Sequence, residues 1–400
     1  RTLTATAVTA EYDDYPSPDA LRRLREREYP WEARGDAVHF DHASIGVIPQ
    51  RARDAVAAYN DKRAEMHAMR AEDFFPQLDR SRALIAQLIG ASAEEIALTT
   101  NTSWGVNLAA YALPLGPGDI VLGSEGEFPA NVYPWMAAAK QRGFTFELVP
   151  MQGFAVDEDE ILRRVETDPR VKGVALSWVS FWTGYRIDAK RLGTACRMRG
   201  VWFAMDTIQG LGACALDVRD VPVDIVSNGA QKWLCSPWGA AFAYVRKELI
   251  AQLEPPAAGW LSQASAGDFA KFLDYDPAWR DDAQRFEVGS LPIQDFVGMN
   301  ATLELFLELG PEHVERHMLA ITAELRRWAV SRPGYTVLTP ERNAQRAGIV
   351  AVRTPDVAAD SAKLRTAGVV HSIREGAIRL APHFHSTRED LQRVFRALES

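Results

Sequence analysis

Residues 201–210 read V-W-F-A-M-D-T-I-Q-G, and residues 223–234 read V-D-I-V-S-N-G-A-Q-K-W-L. Each stretch begins as an apolar run of strand length and ends in polar residues that a core strand does not need. Asp206 and Gln209 follow the first run, and Lys232 follows the second. In an open α/β sheet the ligand crevice lies beyond the carboxyl ends of the strands. An acid and a lysine at two such ends predict a functional site between them.

The same strand pattern recurs along the first two thirds of the chain, with helical patterns between the strands. Strands alternating with helices of about ten or more residues indicate βαβ units and a mostly parallel sheet. The predicted strands cover residues 96–98, 119–123, 145–150, 171–178, 201–205, 223–226 and 240–245. The predicted helices cover residues 51–70, 79–90, 130–142, 157–166 and 188–199. We therefore expect an α/β fold in which helices sandwich a mostly parallel seven-stranded sheet.

The pattern changes after the Pro255-Pro256 pair. Helices are predicted at 294–309, 311–331, 358–367 and 388–398, and short strands at 336–338, 348–352 and 377–380, which indicates a smaller α+β unit. A chain of 400 residues exceeds the usual size of one domain. We predict an N-terminal segment (1–45) that packs on the small domain, a large domain (46–288) and a small C-terminal domain (289–400). A first helix is predicted at 19–28, with Ser17 as its N-cap.

Composition excludes several classes of protein. Lysine and arginine total 45 against 53 aspartates and glutamates, a net charge of −8, which argues against a nucleic-acid partner. No apolar run approaches the roughly 18 residues of a membrane span, and residues 1–10 lack the pattern of a signal peptide. The three cysteines have no C-x-x-C spacing, so we expect no disulfide framework, no metal site and a cytoplasmic location.

A cluster of hydroxyl groups opens a further helix at residues 99–107, T-T-N-T-S-W-G-V-N. Free amide hydrogens and hydroxyls at a helix N-terminus bind phosphate. Ordinary N-capping by Thr102 or Ser103 is the alternative, and this segment alone favours it because such caps are common.

Taken together, these residues indicate pyridoxal phosphate chemistry. A desolvated lysine forms Schiff bases with carbonyls, and an acid beside a pyridine nitrogen keeps that nitrogen protonated. A helix N-terminus with Thr102 and Ser103 would hold the phosphate. Each residue alone also has an ordinary role, Lys232 as a solvated strand-end lysine and Asp206 as a turn residue.

The chain resembles the class V aminotransferase-like family of fold-type I pyridoxal phosphate enzymes, the group that holds cysteine desulfurases, isopenicillin N epimerase and kynureninase. The resemblance runs from F-D-H-A-S-I-G (40–46) to I-R-L-A-P-H-F (378–384). It implies the following roles: Lys232 as the Schiff-base lysine, Asp206 as the partner of the pyridine nitrogen, Gln209 near the phenolic oxygen, and Thr102 and Ser103 as the phosphate-binding pair.

The resemblance also implies roles outside the two opening stretches. Gln231 stands where many relatives carry a histidine that contacts phosphate. Ser290, in R-F-E-V-G-S-L-P, is similar to a hydroxyl that reaches the phosphate of the partner subunit, which implies a homodimer with composite sites. Arg379 matches the arginine that pairs with the substrate carboxylate, Arg374 is a second candidate, and His42 is expected to line the substrate side.

The chain departs from the family pattern at several positions. Phe128, or Pro129 if the match slips by one, replaces a histidine that stacks on the pyridine ring, so stacking survives with Phe128 but acid–base chemistry does not. Gly229 stands where many relatives have a serine. Residues 372–384 contain no cysteine, although desulfurases carry their nucleophilic cysteine in this region. A persulfide-forming desulfurase is therefore disfavoured.

We expect a pyridoxal phosphate-dependent enzyme that acts on an amino acid through an aldimine with Lys232. Transamination, epimerisation and elimination all remain open, as does the identity of the substrate. The pattern R-x-G-x-I-R-x-x-P-H-F at 374–384 is most similar to the epimerase-like branch. The alternative is a protein that binds the cofactor without turnover, as a scaffold or sensor.

Overall fold

The computed structural model describes residues 14–270, 273 and 275–400. Its helices are α1 (Pro18–Glu28), α2 (Pro30–Ala33), α3 (Gln50–Ala64), α4 (Phe75–Ile89), α5 (Thr102–Ala112), α6 (Tyr133–Arg142), α7 (Glu158–Thr167), α8 (Ala189–Arg199), α9 (Lys247–Ile250), α10 (Ile293–Leu309), α11 (Pro311–Val330), α12 (Val357–Thr366) and α13 (Arg388–Glu399). Its strands are β1 (Val38–His39), β2 (Ile96–Thr99), β3 (Ile120–Ser124), β4 (Thr145–Val149), β5 (Val171–Ser177), β6 (Trp202–Asp206), β7 (Ile225–Gly229), β8 (Ala241–Val245), β9 (Thr336–Val337), β10 (Val350–Arg353), β11 (Val369–Val370), β12 (Ser372–Arg374) and β13 (Ala377–Leu380).

The predicted seven-stranded sheet is confirmed. Its strand order is β2-β8-β7-β6-β5-β3-β4, and every pair is parallel except those of β8, which runs antiparallel to both β2 and β7. Strands β2, β3, β7 and β8 are buried along their whole length. Burial of both faces explains why these strands read as continuous apolar runs rather than as alternating patterns.

Strand register gathers the polar residues of the two opening stretches at one edge of the sheet. Ser177 at the end of β5 pairs with Asp206 at the end of β6, and Asp206 in turn pairs with Ser227 of β7. Lys232 follows β7 by three residues. Helix α5 packs on β7 so closely that a Cβ on Gly105 would lie 2.6 Å from the Ser227 hydroxyl oxygen. This close contact fixes the start of α5 next to the same edge.

The C-terminal part of the chain contains a second sheet of the α+β type. Strands β12, β13, β10 and β9 form it in that order, and all of its pairs are antiparallel. The N-terminal strand β1 pairs in parallel with β11. Helix α1 begins as predicted, since the Ser17 side chain accepts from the Ala20 amide at 3.1 Å and Pro18 occupies the first turn. The divisions at 45/46 and 288/289 stay predictions.

Two differences concern secondary structure. Helix α3 was predicted to reach residue 70 but ends at Ala64, because Glu65 leaves the helical region of the backbone and short 3-10 turns follow. Strands β11 and β12, of two and three residues, were not predicted, because strands this short show no periodic pattern.

The described residues offer neither a membrane span nor a metal cluster. Within 14–270, 273 and 275–400 no helix combines the length and apolarity that crossing a membrane requires. The same residues contain no group of three or more histidine, cysteine or acidic side chains placed to hold a metal ion. Residues 1–10, where no signal peptide is expected, lie outside the described range.

Candidate active site

Lys232 lies in a tightly enclosed loop after β7. A Cβ on Gly46 would lie 2.0 Å from the Lys232 carbonyl oxygen, and a Cβ on Gly212, whose φ is +101°, would lie 2.2 Å from that of Trp233. Only glycine permits such approach of two backbones. The Lys232 amino group lies 5.5 Å from the centroid of the Phe128 ring. The loop therefore presents one lysine, from a fixed backbone, to an aromatic face.

Burial lowers the pKa of Lys232 to about 8. The nearby Asp206 opposes this shift, while the guanidinium groups of Arg379 and Arg374 add to it. At physiological pH a lysine with a pKa near 8 is neutral for roughly a tenth to a fifth of the time, far more than an ordinary lysine, and only the neutral amine attacks a carbonyl. The site thus prepares Lys232 for covalent chemistry.

Asp206 is buried at the carboxyl end of β6. Its Oδ1 accepts a hydrogen bond from the Ile208 amide at 2.9 Å. Burial raises the pKa of Asp206 to about 6, against the effects of that amide and of Lys232. A nearby positive charge stabilises the ionised form of a buried acid, and a protonated pyridine nitrogen carries such a charge.

The start of α5 forms a cradle with an unpaired hydroxyl. Asn101, not Thr102 or Ser103, is the N-cap, since its side chain accepts from the Trp104 amide at 2.9 Å. The capping alternative for Thr102 and Ser103 is therefore wrong. Thr102 Oγ1 is buried, and no described residue bonds to it. A buried hydroxyl left without a partner costs roughly 1–3 kcal/mol, so a missing ligand is its simplest explanation.

Gly229 and Gln231 complete this cradle. A Cβ on Gly229 would lie 2.8 Å from Thr102 Oγ1 and 2.5 Å from Gln231 Oε1. The missing side chain therefore keeps a polar space open beside the helix N-terminus. An unpaired hydroxyl, a helix N-terminus and an open cradle fit a phosphate group.

Phe128 and its neighbour Glu127 lie on the loop after β3. Phe128 packs edge to face against Phe181, with ring centroids 5.2 Å apart. Glu127 accepts from the Ser177 amide at 2.7 Å, from the Ser177 hydroxyl at 2.5 Å and from Asn131 Nδ2 at 3.2 Å. These bonds attach the loop that carries Phe128 to the end of β5, beside Asp206.

Glu127 was missed by sequence reasoning. Burial raises the pKa of Glu127 to about 7, with opposition from Ser177 and Asn131 and reinforcement from Asp206. The available signal was an acid directly before the predicted stacking residue, in E-F-P-A-N. Its partners on β5 lie some fifty positions further along the chain, and no local pattern shows them.

Gln209 is held by two protein contacts. Its Nε2 donates to the Ala43 carbonyl at 2.9 Å, and its Oε1 accepts from the Trp233 indole at 2.8 Å. Gln209 thereby connects the β6 end, the loop of Lys232 and the N-terminal loop. Its predicted place near the phenolic oxygen of the cofactor stays a prediction.

Arg379 is almost fully buried, and its donors are largely used. It donates to the Phe181 carbonyl at 2.7 Å, to Ser44 Oγ at 2.6 Å and to Ser372 Oγ at 3.1 Å, and it pairs with Asp41. Arg374 shares Ser44 with Arg379 through a 3.1 Å bond and has no carboxylate partner in the described chain. Both guanidinium groups lower the pKa of Lys232 electrostatically, so they lie near the lysine, and their predicted role in binding a carboxylate stays a prediction.

His42 lies in a buried cluster of histidines. It is completely buried, with Nδ1 at 3.0 Å from the Ala381 carbonyl and Nε2 at 3.2 Å from His385 Nε2. His385 in turn contacts Glu32 at 2.7 Å. Both ring nitrogens of His42 therefore have partners in the described chain, and its place on the substrate side stays a prediction.

The remaining predicted residues differ in their surroundings. Ser103 is half-buried next to Thr102, and Gln231 is half-buried beside Gly229. Ser290 is exposed, and among the described residues no hydrogen bond connects it to the rest of the site. The structure therefore places Phe128, Asp206 and Arg379 near Lys232, and Gln231 near Thr102. The roles predicted for these residues and for Ser103, Ser290 and His42 stay predictions.

Comparison with known proteins identifies the family. The family model "Aminotransferase class-V" matches residues 38–393. The chain belongs to the class-V aminotransferase family. It is 28% identical over 399 residues to isopenicillin N epimerase of Streptomyces clavuligerus, covering 92% of this chain and 97% of that protein. It is 26% identical to a probable cysteine desulfurase of Aeropyrum pernix, covering 93% and 96%.

Solved structures agree on the fold. A complex of the cystine C–S lyase C-DES with its product cysteine persulfide superposes with a TM-score of 0.84 at 20% identity, covering 93% of this chain and 99% of that one. Family membership confirms the α/β fold of the fold-type I group and pyridoxal phosphate as cofactor. The orphaned hydroxyl of Thr102, the lysine of lowered pKa and the buried acid all fit that group. The protein is a pyridoxal phosphate-dependent enzyme.

Proposed function

We propose that this enzyme removes the α-proton of an amino acid, with Lys232 as its proton carrier and Arg379 as its carboxylate-binding residue. One observation carries the proposal: Lys232, whose pKa burial lowers to about 8, lies close enough to Arg379 and Arg374 for both guanidinium groups to lower that pKa further. Lysine alone would suit many sites. A guanidinium pair beside it supplies the recognition of a carboxylate that amino-acid chemistry requires.

The residues that would hold the cofactor are Lys232, Asp206, Phe128, Thr102, Ser103 and Gln231. When bound, pyridoxal phosphate supplies an aldehyde for amino groups and a ring that accepts electrons. Asp206 would hold the ring nitrogen in its protonated form, because a buried carboxylate stabilises a neighbouring positive charge. Thr102 would donate its free hydroxyl to phosphate, together with amides at the start of α5.

Lys232 is the residue that would accept and return the proton. Phe128, which lies across from its amino group, has no proton to exchange, although relatives often carry a histidine there. A neutral Lys232 accepts a proton and a charged Lys232 returns it, and a pKa near the working pH favours both steps. Arg379 would orient the substrate by holding its carboxylate, which requires that Asp41 yield part of its contact with that guanidinium.

Epimerisation is the fate that we favour for the substrate. Its support is the similarity to isopenicillin N epimerase over nearly the whole length of both proteins, together with the R-x-G-x-I-R-x-x-P-H-F pattern. Transamination and elimination use the same first step and are the outcomes to test against it.

Persulfide formation is disfavoured. Strands β12 and β13 are joined by a two-residue turn, Glu375-Gly376, so no long loop extends at this edge. Cys196, Cys214 and Cys235 are buried, and burial raises the pKa of Cys196 and Cys214 to about 12. A protonated, enclosed thiol is a poor nucleophile.

A homodimer is the proposed assembly, with Ser290 reaching the site of the partner. Ser290 is exposed, as such a role requires. Elsewhere the chain carries several exposed aromatic residues. They are Phe75, Trp238, Trp260, Phe269 and Tyr275. Phe75 contacts both Trp260 and Phe269, with ring centroids 6.3 and 6.0 Å apart. Contiguous exposed apolar surface of this kind is typical of an interface. The free thiols suit the cytoplasm, which is the proposed location.

The decisive experiment is a screen of L- and D-amino acids against the cofactor-loaded protein. The visible absorption band reports binding, and chiral chromatography, keto-acid and ammonia assays report the product. Racemised amino acid supports the epimerase proposal, keto acid without racemisation supports transamination, and ammonia with keto acid supports elimination. Absence of any spectral change or product across the screen would refute amino-acid chemistry as a whole.

A further inference from the structure

A pocket of about 410 Å³ lies on the C-terminal part of the chain, away from the crevice of Lys232. Its lining includes four arginines. Three are on α11, and the fourth is Arg346; the three are Arg316, Arg326 and Arg327. Glu341 is the one acid in the lining. We infer that this pocket binds a small anion that carries two or more negative charges, such as a polyphosphate. This inference is independent of the reaction proposed above.

Arg346 gives the pocket a buried and uncompensated cation. Its exposed fraction is 2%. Its Nη1 donates to the Thr322 hydroxyl at 3.1 Å and its Nη2 donates to the Asn343 amide oxygen, both neutral acceptors. Its Nε is buried, and no described residue accepts from it. A buried charge normally pairs with an opposite charge, so this guanidinium lacks a partner that a ligand can supply.

The neighbouring groups do not neutralise the positive charge of the pocket. Arg326 donates to the Thr339 carbonyl, and across the described chain no ion pair involves Arg316, Arg326, Arg327 or Arg346. Burial lowers the pKa of Arg346 to about 10, and Arg326, Arg327 and Arg186 add to that effect by repulsion. Of these groups, Arg186 has its own acid, Glu315, at 2.5 Å. Four arginines against one exposed Glu341 therefore produce a positive potential on a chain whose net charge is −8.

The chemistry of the lining selects the class of ligand. Guanidinium groups bind phosphate and carboxylate oxygens through paired N–H donors, and several of them together favour multiply charged anions. The volume lies in the range of small-molecule sites, roughly 300–1,000 Å³, and is too small for a nucleic-acid helix. The side chains of Leu319, Ala320 and Ala323 add an apolar part to the lining. An inorganic polyphosphate or a compact polycarboxylate matches both size and charge.

One short segment connects the pocket to the active site. Arg346 forms a bridge of the β type with Tyr185, and the Arg186 amide donates to the Gln345 carbonyl at 2.8 Å. The segment that ends at Tyr185 also contains Phe181, whose carbonyl accepts from Arg379. The proposed anion would therefore bind behind the segment that supports the carboxylate site.

Isothermal titration of the cofactor-loaded protein with inorganic pyrophosphate tests the inference. Loading keeps the cradle at Thr102 closed to the probe, and the visible band reports any loss of cofactor. We expect one saturable site per chain, with affinity that falls as salt rises. The double variant Arg316→Gln/Arg327→Gln should bind at least roughly tenfold more weakly, because it removes two charged donors from the lining.

A second double variant serves as the matched control. Arg63→Gln/Arg199→Gln removes the same charge from exposed positions in the last turns of α3 and α8, outside the pocket. It should bind pyrophosphate as the unmodified chain does. Equal weakening in both doubles would show a general charge effect, and release of cofactor during titration would show binding at the active site. Either result, or absence of saturable binding, overturns the inference.

Discussion

Asp41 and Arg379 form an enclosed ion pair, with 3.2 Å between Oδ1 of the acid and Nη2 of the arginine. Asp41 Oδ1 also accepts from Ser44 at 2.9 Å and from Ser372 at 2.8 Å. The arginine that the family pattern assigns to the substrate carboxylate thus already holds a carboxylate from its own chain. A substrate must share or displace it.

The first prediction concerns this competition. Asp41→Asn keeps an oxygen for Ser44 and Ser372 but removes the charge that competes for Arg379. We expect tighter binding of the amino-acid substrate, by a few-fold, with kcat changed less than KM. Arg379→Lys should raise KM roughly tenfold or more, because lysine has no planar fork. Spectral titration of the bound cofactor measures both affinities.

Arg63→Lys, an exposed change in the last turn of α3, is the control for this prediction. It should leave both the substrate affinity and the effect of Asp41→Asn unchanged. An Asp41→Asn variant that binds substrate more weakly than the unmodified chain would contradict the competition.

A second prediction concerns Lys232 itself. Because burial places its pKa at about 8, incorporation of pyridoxal phosphate into the cofactor-free chain should accelerate as pH rises through 8 and then level off. A lysine of ordinary pKa would still accelerate near pH 10. Lys232→Ala should lose the visible band that borohydride removes. A borohydride-sensitive band in that variant, or an incorporation rate that is flat between pH 7 and 9, would contradict the assignment.

The sequence was sufficient to predict the sheet and the cofactor. Apolar runs define the strands, and the polar residues that end them, Asp206 and Lys232, are anomalies visible locally. Parallel register then brings such ends together without further information. The unpaired hydroxyl of Thr102 could be proposed but not decided, because the choice depends on whether Asn101 caps the helix.

Residues with distant partners escaped prediction for a physical reason. His42 contacts Ala381 and His385, more than three hundred positions away, and is part of a buried cluster that its own segment does not show. Glu127 depends on Ser177 of another strand. Whether a polar side chain faces a ligand or another side chain is decided by such contacts, and local sequence patterns do not contain them.

The third prediction concerns stability at acid pH. Burial lowers the pKa of His317 to about 4, while the unfolded chain binds a proton there near 6.5. Between these values the unfolded state holds the extra proton, so this contribution is complete above pH 6.5 and is lost as pH falls toward 4. His317→Gln, which can still donate to the Ser386 carbonyl, should flatten the pH dependence of the unfolding free energy by up to about 1.4 kcal/mol per pH unit.

His67→Gln is the control, since His67 is exposed. Urea unfolding at several pH values between 4.5 and 7.5 measures the slope for all three proteins. An identical slope in His317→Gln and the unmodified chain would show that His317 keeps its proton on folding.

The fourth prediction concerns Glu127. Its carboxylate accepts three hydrogen bonds, and a glutamine in its place presents an NH₂ group to at least one of those donors. Glu127→Gln should therefore destabilise the protein by about 1–2 kcal/mol and weaken cofactor binding by releasing the loop of Phe128. Glu125→Gln, an exposed change on the same loop, should do neither. Visible circular dichroism of the bound cofactor should change in the first variant only, and an unchanged signal there would contradict a positioning role.

The last prediction separates cofactor binding from stability at Thr102. Its buried hydroxyl has no partner among the described residues, so Thr102→Val, which has nearly the same shape, removes an unsatisfied group. The cofactor-free chain should become more stable, by about 1 kcal/mol, because an unpaired buried hydroxyl is unfavourable. The same change removes a donor to phosphate, so affinity for pyridoxal phosphate should fall. Opposite signs in thermal unfolding without cofactor and in cofactor titration are the expected result. A variant that loses both stability and affinity would show that the hydroxyl has a structural partner, whereas unchanged affinity would exclude Thr102 from the phosphate site.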